Sequence, residues 1–112
     1  MTALLTALGR QLLVVSGSPG VASTRVCEYA SRCWESSMPD LGVAAVLAKH
    51  VSAGHAARGA STAVQVLASA GATDGHVVAR AYRDAKLMEI IEGSNEICQL
   101  ILAQHALSTL PD

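Results

Sequence analysis

Apolar residues recur at three- and four-residue steps along most of the chain, the spacing of one face of an α-helix. In Thr2–Ser16 they fall at Leu4, Leu5, Leu8, Leu12 and Val15, with Thr2 placed as the cap. Val21–Ser36 sets Val26, Tyr29, Ala30, Cys33 and Trp34 on one face. Asp40 is expected to cap the longest segment, which runs to about Ser69. Val43, Val46, Leu47, Val51, Ala63, Val66 and Leu67 form its stripe. Its middle is crowded with Ala and Gly, which lets neighbouring helices come close. Val77–Ile91 and Ser94–Leu107 follow. The last is expected to turn Ile97, Leu100, Ile101 and Leu107 inward, with Glu96 in the first turn, where the helix dipole favours an anion.

Turn signals separate these segments: Gly17-Ser18-Pro19-Gly20, Met38-Pro39-Asp40, Gly71-Ala72-Thr73-Asp74-Gly75 and, more weakly, Glu92-Gly93-Ser94. No alternating strand pattern of useful length appears. The Leu-Leu-Val-Val run within Gln11–Ser16 would have no strand to pair with. The expected fold is all-α, an antiparallel helical bundle with short connections.

Composition refines this picture. The chain has 112 residues, 51% hydrophobic and 15% charged, with a net charge of −1. That suits one modest core and excludes a dominant basic footprint for nucleic acid. The uncharged stretches Gln11–Thr24, Gly59–Thr73 and Ile97–Pro111 carry polar residues and fall short of the ~18 apolar residues of a membrane span. Arg10 interrupts the first Leu cluster, so no signal peptide is expected. The apolar excess then points to a large face meant for a partner. Cys27, Cys33 and Cys98 form no C-x-x-C, and the four histidines lack i, i+4 spacing, so no metal site is expected. The thiols read as buried groups of a reducing, cytoplasmic protein.

One stretch stands out chemically, from Arg80 to Ser94. Its charges at Arg83, Asp84 and Lys86 are those of a solvated helix face. Glu92 differs: it ends a helix beside Gly93, with Met88, Ile90, Ile91 and Ile97 nearby in sequence. Two readings stand for such a carboxylate: a general base with a raised pKa, or a side chain pointing into water at a loop.

Arg83-Asp84-Ala85-Lys86 followed by Glu89-Ile90-Ile91-Glu92-Gly93-Ser94-Asn95-Glu96-Ile97 resembles the R-D-A-(K/R)-x-x-x-I-x-E-G-T-x-x-I signature of acyl-CoA dehydrogenases. Ala63-Val64-Gln65-Val66-Leu67-Ala68-Ser69-Ala70-Gly71 resembles the family's A-V-Q-(I/V)-L-G-G-x-G, and Ala48-Lys49 its A-K in the same register. The likeness runs from about Val21 to Leu107. Gly9-Arg10-Gln11-Leu12 resembles part of a shorter F-G-R-Q-L-like motif, which puts Leu5 where the family usually has a flavin-phosphate-contacting Arg. The division this implies is an N-terminal helix over residues 1–20 and, over 21–112, a region like the family's C-terminal four-helix domain.

The resemblance implies roles for individual residues. Glu92 matches the carboxylate that removes the α-proton of an acyl thioester. Gly93 lets the backbone turn tightly beside the substrate. Ser94, in place of the usual Thr, keeps a hydroxyl for the flavin nucleotide, and Glu96 falls near that nucleotide. Gln65 and Gly71 match positions contacting the dinucleotide of a neighbouring subunit. Ala68 and Ser69 replace two family glycines at that contact.

The implied function is a piece of a flavin-dependent acyl-thioester dehydrogenase, on coenzyme A or a carrier protein. It contributes the base and part of an FAD site in a homo- or hetero-oligomer with a polypeptide bearing the flavin domain. Without such a partner it is expected to be inactive. The alternative is a non-catalytic helical interaction or dimerisation module derived from the same family.

Overall fold

The structure is a computed structural model that describes residues 20–110. The helix expected over Thr2–Ser16, the Gly9–Leu12 motif and Leu5 lie outside the described residues. Among the described residues the fold is all-α, with no strand. The helices are α1 (residues 20–35), α2 (Leu41–Leu67), α3 (Ser69–Ala72), α4 (Val77–Met88) and α5 (Asn95–Ser108). None is long and apolar enough to cross a membrane.

The long helix α2 is the axis of the bundle, and α4 and α5 each pack on it. Side-chain contacts tie α1 to it, among them Ser23 Oγ to His55 Nδ1 at 2.8 Å and Cys27 Sγ to Ser52 Oγ at 3.5 Å. The buried apolar residues are small: Cys33, Ala44, Ala48, Ala53, Ala79, Ala85 and Cys98. Small side chains at helix contacts let the backbones approach closely, which the Ala- and Gly-rich middle of α2 anticipates.

The large apolar residues sit elsewhere than the periodicity predicts. Ile97, Leu100, Ile101 and Leu107 of α5, expected inward, are exposed, Leu107 by 70%. Cys98 holds the buried position instead. On α1, Cys33 is fully buried, whereas Trp34 is 73% exposed and Tyr29 also faces out. Val66 and Leu67 at the end of α2 are exposed as well. Burial by small residues leaves these stripes facing away from the bundle. The thiols divide too: Cys33 and Cys98 are buried, but Cys27 is exposed, against the expectation of buried thiols throughout.

The capping chemistry is mixed. Ser94 caps α5, its hydroxyl accepting from the Ile97 N–H at 3.5 Å. Asp40 precedes α2 but its side chain makes no capping bond. His76 caps α4 through Nδ1, which accepts from the Val78 N–H at 3.2 Å. The long helix ends at Ala68, whose φ of 51° and ψ of −138° lie outside the conformations an L-residue favours.

Candidate functional site

The turn between α4 and α5 carries the candidate base. Glu92 has φ +53° and Gly93 φ +96°, two consecutive residues in left-handed conformation. For Gly93 that costs nothing extra, but for glutamate it costs about 1–2 kcal/mol. Such a conformation persists only where the surroundings hold it. Here they do so at several points. The Asn95 N–H donates to the Glu89 carbonyl at 3.0 Å, closing the loop at its base. Asn95 Nδ2 donates to Glu89 Oε1 at 3.0 Å, and Glu89 Oε2 accepts from Lys86 Nζ at 2.7 Å. From α2, Lys49 Nζ donates to the Gly93 carbonyl at 2.5 Å, and His50 Nδ1 lies 3.3 Å from Asn95 Oδ1. Cys98 Sγ also approaches the Gly93 carbonyl, at 3.7 Å.

Glu92 itself is exposed. Among the described residues its carboxylate has no hydrogen-bond or ion-pair partner, although the turn that carries it is braced. The adjoining Met88, Ile90, Ile91 and Ile97 are exposed apolar side chains. A carboxylate set in an apolar surface gains basicity only when something covers that surface and excludes water.

Beside it, the Glu96 carboxyl is held below its ordinary pKa of 4.5. The main cause is its own backbone N–H, followed by the Ser94 hydroxyl, with the Lys86 and Lys49 cations adding smaller attraction. Three first-turn donors of α5 are satisfied within the chain: Asn95 by the Glu89 carbonyl, Ile97 by the Ser94 hydroxyl and Cys98 by the Ser94 carbonyl. That end of α5 offers hydroxyl and carboxylate groups, which suit ribose hydroxyls or a heterocycle edge better than phosphate.

Gln65 and Gly71 lie at the far end of α2 from this turn. The helical rise between Lys49, under the turn, and Gln65 is about 24 Å. The structure therefore brings Glu92, Gly93, Ser94 and Glu96 together and sets Gln65 and Gly71 apart from them. Gln65 is exposed. Gly71 is buried against its own chain: a Cβ there would meet Leu67 Cβ at 2.9 Å and the Val64 carbonyl oxygen at 3.0 Å. Its lack of a side chain thus has a packing reason within the α2–α3 corner. Among the described residues no cluster of His, Cys, Asp or Glu is suited to a metal ion.

Lys49, His50, Glu89, Asn95 and Cys98 carry no role in the sequence reading. Their meeting depends on contacts between α2 and the turn 44 and 45 positions apart in sequence. The one local signal was the Ala48-Lys49 pair, a lysine in an otherwise apolar helix segment.

Comparison with known proteins places this helical architecture. Residues 21–107 match the family model of the acyl-CoA dehydrogenase C-terminal domain, and the chain belongs to that family. It is 34% identical over 87 residues to the short-chain specific acyl-CoA dehydrogenase of Megasphaera elsdenii, covering 78% of this chain and 22% of that protein. It is 31% identical over 98 residues to the Mycobacterium leprae protein named "probable acyl-CoA dehydrogenase fadE25", covering 87% of this chain and 25% of that protein. Among solved structures it resembles FkbI, described as for biosynthesis of the methoxymalonyl extender unit of the FK520 polyketide immunosuppressant. That match has 56% identity and a TM-score of 0.73, over 96% of this chain and 27% of the FkbI chain. The chain thus spans about a quarter of the length of these relatives.

Proposed function

We propose that this chain supplies the catalytic base and part of the FAD site of a flavin-dependent acyl-thioester dehydrogenase, together with a flavin domain on the same or a partner polypeptide. The observation that carries the reading is the braced left-handed turn bearing Glu92, an unpartnered carboxylate on an apolar surface. Glu92 takes the α-proton of the thioester, and the Cα–H electron pair becomes the Cα–Cβ π bond as hydride leaves Cβ. FAD, when bound, supplies the hydride acceptor. Abstraction of so weak an acid needs a base within hydrogen-bond reach and shielded from water. The exposed apolar residues around Glu92 are the surface that the flavin domain and acyl chain would cover.

Ser94 and Glu96 would hold the nucleotide through their hydroxyl and carboxylate. Gln65 would reach a dinucleotide bound with another copy, since it lies about 24 Å along α2 from the turn. In that assembly residues 21–112 act as one helical domain. The likeness to FkbI supports a substrate of the extender-unit class used in polyketide assembly. In this reading the substrate is a thioester and the reaction is cytoplasmic.

A second reading, a non-catalytic interaction module, draws on the outward Leu and Ile side chains of α5. Native mass spectrometry of the protein taken gently from its source cells separates the two. A species carrying flavin domain and FAD mass supports the dehydrogenase; a flavin-free homo-oligomer supports the module.

A further inference from the structure

We propose that Lys49 is a positioning residue for Glu92: its ammonium bolts the Gly93 carbonyl to α2 and so fixes the turn that aims the carboxylate. The inference rests on the reading of Glu92 as the base. Lys49 lies on α2, 44 positions away in sequence, and donates to Gly93 at 2.5 Å. It forms no ion pair among the described residues. A half-buried ammonium is directed at a neutral carbonyl rather than at a carboxylate, and that carbonyl belongs to the residue next to Glu92.

The geometry explains why this contact controls the base. Glu92 at φ +53° and Gly93 at φ +96° make a loop that glutamate does not adopt unaided. The Glu89–Asn95 bonds close its base, and the Ser94 hydroxyl fixes its exit into α5. Between those points the Gly93 peptide plane is free to rotate, because glycine imposes little preference. Lys49 removes that freedom. Cys98 Sγ, 3.7 Å from the same carbonyl, is too long and too weak a donor to replace an ammonium.

The test uses the complete flavin-loaded enzyme with Lys49→Met, which keeps length and loses the donor, and Lys49→Arg, which restores one. Lys49→Met is expected to lower kcat about tenfold to a hundredfold, the scale of losing a charge-assisted bond or misplacing a base. KM and FAD content stay within about twofold, and Lys49→Arg recovers most of the rate. Hydrogen exchange supplies a readout independent of activity. In Lys49→Met the Asn95 amide exchanges about tenfold faster or more, while the Ala53 amide in α2 is unchanged. Lys49→Gln takes the place of Lys49→Met if the latter loses helical content, with the same expectations. Glu92→Gln is assayed in parallel. If it abolishes turnover while Lys49→Met leaves kcat and Asn95 exchange within twofold of wild type, the positioning role is overturned and the base assignment stands. If Glu92→Gln keeps full turnover, the base assignment itself fails, and the role of Lys49 in catalysis falls with it.

Discussion

Lys49 Nζ donates to the Gly93 carbonyl at 2.5 Å, joining the N-terminal third of the central helix to the turn that carries Glu92. Together with the His50–Asn95 contact, it makes the α4–α5 turn part of the bundle rather than a loop between helices. It also shows how a carboxylate with no partner of its own can hold a defined place. The bracing falls on the backbone around it, and the side chain stays available for a proton.

The corner between α2 and α3 contains a residue in the wrong conformation for its type. Ala68 takes φ 51° and ψ −138°, where only glycine is comfortable. Ala68→Gly should relieve that strain and, net of the greater flexibility of the unfolded chain, stabilise by about 1 kcal/mol. The melting temperature should rise by roughly 5 °C. Gly71→Ala, three residues on, should do the opposite. Its Cβ would press on Leu67 Cβ at 2.9 Å and on the Val64 carbonyl, costing about 1–3 kcal/mol. Thermal unfolding of both variants checks the pair. A lower melting point for Ala68→Gly, or no change for Gly71→Ala, would contradict the strained corner.

Much of this was legible in the residues, and the misses have a common cause. The helix segments and Glu96 in the first turn of α5 follow from local periodicity, which acts within a few residues. The break at Ala68 was invisible because alanine is a strong helix former. Which face of α5 points inward was also misjudged. Periodicity finds an apolar stripe, but here Cys98 occupies the contact with the bundle and the stripe of Ile97, Leu100, Ile101 and Leu107 faces out. At the α4–α5 turn, Glu92, Gly93 and Ser94 were read from one contiguous motif, whereas Lys49 and His50 reach it only through tertiary packing.

The Glu96 carboxyl gives a pH test. Its folded pKa is lowered from 4.5, first by its own N–H and then by the Ser94 hydroxyl. A lowered folded value means that its contribution to stability is complete above about pH 4.5 and is lost as pH falls through the folded pKa. Glu96→Gln should therefore be less stable than wild type at neutral pH. The gap should close in acid. Urea unfolding at a series of values from about pH 6 to about pH 3 measures it. A gap that stays constant or widens on acidification would contradict the carboxylate's role at this helix end.

The outward stripe on α5 should make the chain by itself self-associate, because exposed apolar patches of this kind seek cover. Leu100 and Leu107 are 65% and 70% exposed. Replacing both with Lys should shift sedimentation towards the monomer and lower binding of an apolar dye, with helical content unchanged. A wild-type chain that stays monomeric at high concentration without binding the dye would contradict this.

The most direct measurement concerns the α-proton itself. The complete, FAD-loaded enzyme is held in deuterium oxide with an acyl thioester that lacks β-hydrogens, so that proton removal is seen without oxidation. Mass spectrometry then follows deuterium entering the α-position. With Glu92 as the base, the wild-type enzyme incorporates deuterium, and Glu92→Gln does so at least about a hundredfold more slowly while retaining its flavin. Incorporation at the wild-type rate in Glu92→Gln would show that another group removes the proton.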